Sequence, residues 1–495
     1  MRIFYILWLV TKYLILYSSI RFGITKQPTP KLLRNFFEDA GGTFIKFGQI
    51  LSLRVDVLPK EYAQEMLQLF DNVKPFSYAF VEEIFIQELG AKPEKLFIDF
   101  QKKPFASASF GQVHAAKLKG NHIVAVKIQR PSIEQQVLAD FLLIDVLAFI
   151  GDMFFKVDAL PWREFASEFK KWTKEELDYH KETDHLERMQ KNAAKRKDVV
   201  IPQVYPYLST KRILVQDYIE GIPLSRVMQG LKDGRLTKEK LLKMGINGKK
   251  IAKLLTSEIL REFFIDGFFH ADPHPGNILI LKNDKLAFID FGIVGQSMTY
   301  NKKSFVEAIK GYADMDFKRA VYNSTDFMGE ELKCIIASAL PANVSQKSVV
   351  EFTKFLANHF SETVENIVIG NVKNLEVMKT DYTVVAFQIM KAAKRYKIKM
   401  PKEMVLLIRT LSIVGFLAKE LDYGYRLTEE TKAFFHNYPE NEWLKDSDNA
   451  TPYKRISYES AIEKLNDWLS YLVEIDPPLY QLVQEHMKKY TSPTH

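Results

Sequence analysis

The longest apolar run of the chain lies at its beginning. Residues 3–20 read IFYILWLVTKYLILYSSI, with Lys12 as the one charged side chain, and Arg2, Arg21 and Lys26 flank them. A helix needs about 20 apolar residues to cross a bilayer, and a central lysine opposes insertion by about 2.5–3.5 kcal/mol. The pattern therefore predicts a membrane-associating helix that either spans the bilayer or lies in its interface. A buried globular helix is the alternative.

Behind this run, the spacing of apolar residues alternates between helical and strand periods. TKQPTP at residues 25–30 predicts a linker, and a mostly helical region follows. A strand-rich stretch begins near Leu96 and includes ILVQDYIEG at residues 213–221, which predicts a strand that runs into a turn. Long helices are predicted over residues 133–155 and 162–189.

Helical periodicity returns at Lys238 and continues to Ala418, interrupted by the strand-like segments NILIL and LAFIDFG, and the residues after Arg426 are polar. This order predicts an α+β fold in which a helical extension precedes a small mixed lobe and a larger helical lobe. The predicted boundaries are 1–25 for the membrane-associating segment, 26–95 for the extension, 96–220 for the small lobe, 221–430 for the large lobe and 431–495 for a polar tail.

Composition narrows the classes of function. The 495 residues are 47% hydrophobic and 26% charged, which is typical of a globular protein. The single cysteine, Cys334, excludes an intramolecular disulfide and a cysteine-based zinc site. The net charge of +8 is not gathered into long basic runs or interleaved with aromatic residues. We therefore expect an anionic membrane surface or phosphorylated ligands as partners, and no nucleic acid.

The segment HADPHPGNIL, residues 270–279, concentrates side chains that carry chemistry. Asp272 and Asn277 are five positions apart, and Asn277 is thirteen positions before Asp290 of a D-F-G tripeptide. This order and spacing are those of a kinase catalytic loop. In such a loop the Asn and the second Asp hold the Mg²⁺ that neutralises the phosphates of ATP, and the first Asp faces the attacking hydroxyl. The pattern predicts Asn277 and Asp290 as metal ligands and Asp272 as a catalytic residue.

Two upstream motifs belong to the same chemistry. VAVKIQRP places Lys127 late in a β-branched strand, as the kinase strand lysine requires. ASASFGQV corresponds to a glycine-rich phosphate loop in which alanines replace the first two glycines and Gly111 keeps the third. Because alanine carries a Cβ, we expect this loop to be stiffer and its nucleotide geometry to differ. The predicted loop residues are Ala106, Ser107, Ala108, Ser109, Phe110 and Gly111.

A zinc site is the competing interpretation of the same histidine-rich segment. His270 and His274 would have to lie on one face of a helix to bind zinc together, but Pro273 and Pro275 argue against a helix there. We expect His270 to be a structural anchor.

Two further clusters are not explained by an ordinary kinase site. Lys46 and Gln49 lie three positions apart in KFGQ, so they share one face of a helix. Glu176, Asp178 and Glu182 lie in EELDYHKETDH, where one acid is suited to pair with Lys127 and the others to approach a metal. A solvated acidic helix is the alternative for the second cluster.

Taken together, these stretches resemble the UbiB-type atypical kinases, the AarF-domain family tied to ubiquinone and other prenyl-lipid biology. The similarity runs from about residue 40 to residue 296, with weaker similarity to about residue 422. The K-x-G-Q motif is highly specific, because ordinary kinases lack it. The matching stretches are KFGQILSLRVDVLP, ASASFGQVH, VAVKIQRP, EELDYHKE, QDYIEGIPL, FFHADPHPGNIL and FIDFGIVG.

The resemblance implies a bilobal, atypical protein-kinase-like fold and a role for each matching residue. Lys46 and Gln49 would act in catalysis from a helical extension over the active site, together with Lys127 and Asp272. Lys127 would contact the phosphates and pair with Glu182. The other residues implied to bind the nucleotide are the loop Ala106–Gly111, the E-x-D acids Glu176 and Asp178, and the hinge Asp217, Tyr218 and Ile219.

The resemblance also implies an activity and a setting. We expect a membrane-associated ATPase or kinase that uses ATP and Mg²⁺, supports isoprenoid-quinone or related lipid biosynthesis, and does not phosphorylate proteins in trans. A membrane lipid or prenylated quinone precursor and quinone-biosynthesis enzymes would be its partners, at the cytoplasmic face of a bacterial inner membrane. Two alternatives stay open: a small-molecule alcohol kinase, and a nucleotide-gated, non-catalytic scaffold. One departure is that the apolar segment is N-terminal, whereas family members often carry it at the C-terminus.

Overall fold

The structure is a computed structural model, and it describes residues 2–23, 28–52, 60–66, 69, 74–154, 162–298, 302–328, 330–340, 381–398, 400–444 and 456–491, with isolated positions between 348 and 366. Residues 25–27 of the predicted linker lie outside the described residues, as do residues 53–59 of the K-x-G-Q stretch, whereas Thr29 and Pro30 of the linker begin the helix Thr29–Ala40.

The described elements are mainly helices, joined by short strands, which confirms the α+β class. The helices are α1 (Arg2–Arg21), α2 (Thr29–Ala40), α3 (Gly42–Ser52), α4 (Lys60–Met66), α5 (Tyr78–Leu89), α6 (Pro93–Leu96), α7 (Ile133–Phe154), α8 (Trp162–Glu176), α9 (Tyr179–Ala193), α10 (Leu224–Lys232), α11 (Lys238–Lys243), α12 (Gly248–Arg261), α13 (Lys302–Asp314), α14 (Phe317–Met328), α15 (Glu330–Ala339), α16 (Thr383–Arg395), α17 (Lys402–Leu421), α18 (Leu427–Asn437), α19 (Glu440–Trp443), α20 (Tyr458–Ile475) and α21 (Pro477–Thr491). The strands are β1 (Asp99–Phe100), β2 (Ala106–Ser107), β3 (Gly111–Lys117), β4 (Ile123–Gln129), β5 (Val199–Val200), β6 (Ile213–Asp217), β7 (Ile222–Pro223), β8 (Phe268–His270), β9 (Ile278–Ile280), β10 (Leu286–Phe288) and β11 (Val294–Gln296).

These elements form two compact units. The first contains residues 1–246 and 272–294, and the second contains residues 247–271 and 295–495. The first unit has one sheet in the order β1-β3-β4-β6, with β2 also paired to β3, and a second sheet in the order β5-β10-β9-β7.

Strand β4 explains how the first sheet presents a lysine. It reads IVAVKIQ, and β-branched side chains suit an extended, half-buried backbone. Side chains alternate between the faces of a strand, so Val126 and Ile128 enter a core shared with α5 while Lys127 lies on the opposite face. Antiparallel pairing with β3 and β6 fixes this register.

Helix α1 packs on the first unit through one side. Ile6 and Leu9 are buried, and the guanidinium of Arg2 donates to both carboxylate oxygens of Asp140 on α7, at 2.8 and 3.0 Å. Lys12 donates to Asp39 on α2 at 2.8 Å. Among the described residues, no helix combines the length and the apolarity needed to cross a membrane.

The prediction of one continuous helix over residues 162–189 is wrong. The structure has two helices, α8 and α9, because the Asp178 carboxylate accepts a hydrogen bond from the backbone N–H of His180 at 3.1 Å and caps the start of α9. An N-cap satisfies a backbone N–H that the first turn of a helix leaves without a partner, so a new helix starts there. The predicted helix over 133–155 is present as α7 up to Phe154.

The second unit is helical and is built around α12 and α17. Leu255 and Ile259 of α12 and Leu411 and Val414 of α17 are fully buried. Gly248 permits the close approach of the two helices, because a Cβ there would lie 2.6 Å from the carbonyl oxygen of Leu421.

The polar composition of the C-terminal region conceals a second apolar core in this unit. Residues 458–491 form α20 and α21. Their apolar sides, which include Trp468, Leu472 and Leu479, are buried in one cluster with Ile336 of α15. Amphipathic helices of this kind have a polar average composition and still bury one face.

Candidate active site

Lys127 connects three parts of the candidate site. Its Nζ atom lies 2.9 and 3.1 Å from the two carboxylate oxygens of Glu182 on α9, and 2.9 Å from Oδ2 of Asp290 in the D-F-G turn. It also lies 5.0 Å from the centroid of the Tyr179 ring, within the range of a cation–π interaction. One ammonium group therefore joins the strand, the helix and the turn.

The charges of this cluster perturb one another because they lie within 3.1 Å of Lys127 Nζ and are at least partly buried. Burial opposes the charged form of Lys127, but the carboxylates of Asp290 and Glu182 raise its pKa well above the ordinary value. Burial, with the negative charge of Asp290, raises the pKa of Glu182 to about 7 against the attraction of Lys127. Burial also opposes ionisation of Asp290, yet Lys127 and then Lys46 hold its pKa well below the ordinary value. Asp290 is thus ionised at neutral pH, where Glu182 titrates.

A tight turn brings Asp272 and Asn277 to the same place. The N–H of His274 donates to the carbonyl oxygen of Asp272 at 2.7 Å, and the N–H of Asn277 donates to the carbonyl oxygen of His274 at 2.8 Å. The N–H of Ile289 donates to the carbonyl oxygen of Asn277 at 3.0 Å, which ties this turn to the end of β10. Asp272, Asn277 and Asp290 line one cavity of the first unit together with Lys127.

The donor set of this cavity fits Mg²⁺ better than zinc. Asp290 and Asn277 offer hard oxygen ligands, and Mg²⁺ ordinarily takes one or two protein ligands and completes its octahedron with phosphate oxygens and water. Within the described part of the chain, no three His, Cys, Asp or Glu side chains form a cluster that would hold a metal by themselves. His270 ends β8 and His274 lies in a turn, so the helical pairing that a zinc site would need is absent from these two described residues.

The alanine-rich loop lies along the same cavity. Ala106 and Ser107 form β2, Ala108, Ser109 and Phe110 line the cavity, and Gly111 begins β3. A Cβ at Gly111 would lie 2.5 Å from the carbonyl oxygen of Ile128, so close approach of β4 requires glycine there.

Arg130 holds this loop in place. Its side chain donates to the carbonyl oxygen of Ala108 at 3.2 Å, to the hydroxyl of Ser107 at 3.0 Å and to the carbonyl oxygen of Lys74 at 2.8 Å. The backbone N–H of Arg130 donates to the carbonyl oxygen of Phe110 at 2.8 Å. One side chain therefore joins the loop to Lys74, which lies within the predicted extension.

The K-x-G-Q residues reach the cavity from α3. Lys46 Nζ lies 3.0 Å from Oε1 of Glu176, and both side chains are largely buried. Burial raises the pKa of Glu176, and the charge of Lys46 opposes that rise. The amide of Gln49 donates to the carbonyl oxygen of Leu69 at 3.0 Å. Both Lys46 and Gln49 line the cavity.

Some residues that the resemblance implies for nucleotide binding have other contacts in the structure. Asp178 caps α9. Asp217 ends β6 and accepts a hydrogen bond from the Tyr205 hydroxyl at 2.8 Å, and Tyr218 packs edge-on against Phe105. The described lining of the cavity does not include Asp178 or the segment Asp217–Ile219.

Sequence reasoning missed two residues of the site. Tyr179 is buried, lines the cavity and contacts Lys127 through its ring. Its signal was its position directly after the capping Asp178. Arg130 lies within VAVKIQRP, where the motif indicates no role for it, and only the folded loop reveals its partners.

The fold and the site define a protein of the atypical kinase class. The profile of the ABC1 atypical kinase-like domain matches residues 68–324. The chain belongs to this family, which confirms the relationship to the UbiB and AarF proteins and the bilobal kinase-like fold.

Similar proteins include two bacterial proteins without a described function. One, from Clostridium pasteurianum and named for the 5' region of hydrogenase 1, is 32% identical over 421 residues, which are 83% of this chain and 73% of that protein. Another, from Synechocystis, is 28% identical over 386 residues, 77% of this chain and 87% of that protein. Among solved structures, the complex of Rv3197 from Mycobacterium tuberculosis with erythromycin is similar with a TM-score of 0.48 and 20% identity, over 86% of this chain and 97% of that one.

Proposed function

We propose that this protein is an ATP-dependent atypical kinase or ATPase that works at a membrane in isoprenoid-quinone or related lipid metabolism. The observation that carries the nucleotide part is the convergence of Lys127, Glu182 and Asp290 by direct ion pairs, with Asp272 and Asn277 lining the same cavity. These are the groups that position phosphates and metal in phosphoryl transfer.

Each residue has a distinct task in this proposal. Lys127 binds the α/β-phosphates and is oriented by Glu182. Asp290 and Asn277 hold Mg²⁺, which neutralises phosphate charge when it is bound, and Asp272 orients the attacking hydroxyl or water. The loop Ala106–Gly111 covers the phosphates. The segment Asp217–Ile219, which lies outside the described lining of the cavity, is the adenine hinge in this proposal on the strength of the family resemblance alone.

The helical extension supplies the reason to expect little transfer to proteins. Lys46 and Gln49 line the cavity from α3, and we infer that the extension limits access by a peptide substrate. Small or lipid-like acceptors, or water, are then the favoured phosphoryl acceptors. The lipid class rests on the family relationship, and the membrane setting, at the cytoplasmic face of a bacterial inner membrane, rests on the apolar helix α1.

ATP turnover by the purified protein tests this proposal. We expect turnover that vesicles and prenylated phenols increase, and that Asp272→Asn lowers by about a hundredfold or more, as expected for loss of a general base. Nucleotide binding without turnover under any lipid condition would instead indicate a nucleotide-gated scaffold. Transfer of labelled phosphate to an added soluble alcohol would indicate a small-molecule kinase.

A further inference from the structure

The hydroxyl of Tyr179 is a buried polar group without a hydrogen-bond partner. Tyr179 begins α9 and exposes only 1% of its surface. Within the described part of the chain, its hydroxyl oxygen makes no hydrogen bond. Buried tyrosine hydroxyls ordinarily have a partner, because burial removes the water that would otherwise bond to them. A ligand that supplies the missing partner would explain why this hydroxyl is kept.

Other buried tyrosines of the described chain have the partner that Tyr179 lacks. The hydroxyl of Tyr312 shares a hydrogen bond with the hydroxyl of Ser324 at 2.7 Å, and that of Tyr382 shares one with the hydroxyl of Thr431 at 3.2 Å. Neither tyrosine belongs to the described lining of the cavity, whereas Tyr179 does. The tyrosine without a partner is therefore the one at the candidate active site.

Tyr179 lies next to two of the groups that face the phosphates in the proposed function. A Cβ at Gly111 would lie 3.1 Å from the hydroxyl oxygen of Tyr179, so the hydroxyl is close to the end of the alanine-rich loop. The centroid of the tyrosine ring is 5.0 Å from Nζ of Lys127. All three residues line the same cavity. A phosphate held by the loop and by Lys127 would therefore lie near this hydroxyl.

Two donors that would ordinarily hold a phosphate are engaged within the protein. Three carboxylate oxygens lie within 3.1 Å of Nζ of Lys127, and an ammonium group has three protons to donate. Phosphate-binding loops use their backbone N–H groups, but the N–H of Ala108 donates to the carbonyl oxygen of Gly111 at 2.8 Å. The hydroxyl of Tyr179, in contrast, has a proton that no described group accepts.

The hydroxyl keeps this proton at neutral pH. Burial raises the pKa of Tyr179 above its ordinary value, and the charge of Lys127 opposes that rise only in part. The side chain therefore offers a neutral donor, which attracts a phosphate oxygen without adding negative charge to the cavity.

We propose that the hydroxyl of Tyr179 binds the nucleotide directly, by donating a hydrogen bond to an oxygen of the α- or β-phosphate beside Lys127. This inference deepens the proposed function and rests on it, because it adds a phosphate-binding residue to the same cavity. The oxygen is closed to solvent in this structure, so a phosphate reaches it once the neighbouring loop shifts.

Isothermal titration of the full chain with Mg-ADP tests the inference, using two matched variants. Tyr179→Phe removes the hydroxyl and keeps the ring beside Lys127. Tyr312→Phe removes the same atom from a tyrosine that is equally buried but lies outside the described lining of the cavity. The melting temperatures without nucleotide report how each hydroxyl contributes to stability.

We expect Tyr179→Phe to weaken Mg-ADP binding by about tenfold or more, because a hydrogen bond to a charged group is lost. Its melting temperature should stay the same or rise, since the variant removes a buried polar group that has no partner. Tyr312→Phe should bind like wild type and melt at a lower temperature, because it loses the hydrogen bond with Ser324.

Tyr179→Phe with wild-type affinity would overturn the inference and leave the proposed function intact. Weaker binding together with a fall in melting temperature as large as that of Tyr312→Phe would also overturn it, because the hydroxyl would then have a structural partner. Wild type that does not bind Mg-ADP would overturn both the inference and the nucleotide part of the proposed function.

Discussion

The ion pair between Lys46 and Glu176 makes a quantitative prediction about how the extension is held to the active site. The two charged atoms are 3.0 Å apart, and the side chains are only 14% and 15% exposed. At an effective dielectric constant near 20, two unit charges at that distance attract by about 5 kcal/mol. Desolvation of both groups offsets part of this attraction, so we expect Lys46→Met to lower the free energy of unfolding by about 2–3 kcal/mol.

The protonation of Glu176 provides a second test, through the pH dependence of stability. Burial already raises the pKa of this carboxyl, and the loss of Lys46 removes the charge that opposes the rise. A raised pKa in the folded state gives stability that is present at low pH and is lost as the pH rises through that pKa. The loss of unfolding free energy in Lys46→Met, relative to wild type, should therefore be larger at about pH 8 than at about pH 5.

A double-mutant cycle with Glu176→Gln measures the pair directly. Denaturant titrations of wild type, both single variants and the double variant should give a coupling energy of about 1.5 kcal/mol or more, because the double variant leaves no unpaired buried charge. The reasoning would be refuted if the stability losses of the two single variants add to that of the double variant within about 0.5 kcal/mol, and if the loss in Lys46→Met does not change with pH.

Two further predictions concern the same site. The pKa of Glu182 is about 7, against an ordinary 4.5, so the folded protein binds this proton more tightly than the unfolded chain does. In denaturant titrations, the stability of wild type relative to Glu182→Gln should therefore fall between about pH 4.5 and pH 7. A stability difference that stays constant over this range would contradict the assignment. Arg130→Leu removes three side-chain hydrogen bonds, so stability should fall by about 2–3 kcal/mol and hydrogen exchange of residues 106–111 should quicken. Unchanged exchange there would mean that the loop does not depend on Arg130.

The parts of the site that the sequence could predict are those in which local spacing fixes the geometry. Asp272, Asn277 and Asp290 belong to one turn and one strand hairpin, so their separation in sequence limits their separation in space. The face of the sheet on which Lys127 lies is likewise determined by the alternation of side chains along β4. The family and the α+β kinase-like fold followed from these motifs and are confirmed, whereas nucleotide binding by these residues stays a prediction.

The features that could not be predicted are those in which several local interactions or packing arrangements are compatible with the same sequence pattern. The apolar spacing of residues 162–189 is helical throughout, and only the cap made by Asp178 breaks the segment into α8 and α9. The partners of Arg130 are backbone carbonyls, which have no sequence signature. Helix α7 carries large apolar side chains on both its buried and its exposed face, so its sequence does not distinguish these two faces.

Mg²⁺-dependent nucleotide binding tests the central claim most directly. The melting temperatures of wild type, Asp290→Asn and the matched control Asp284→Asn are compared with and without Mg-ATP. Asp284 lies in the turn between β9 and β10 with positive φ, a conformation that asparagine tolerates. At a hundredfold excess over Kd, bound nucleotide should stabilise wild type and the control by about 2.7 kcal/mol, and Asp290→Asn should lose most of that gain. Equal stabilisation of Asp290→Asn, or wild type that Mg-ATP does not stabilise, would contradict the assignment of this cavity as a nucleotide site.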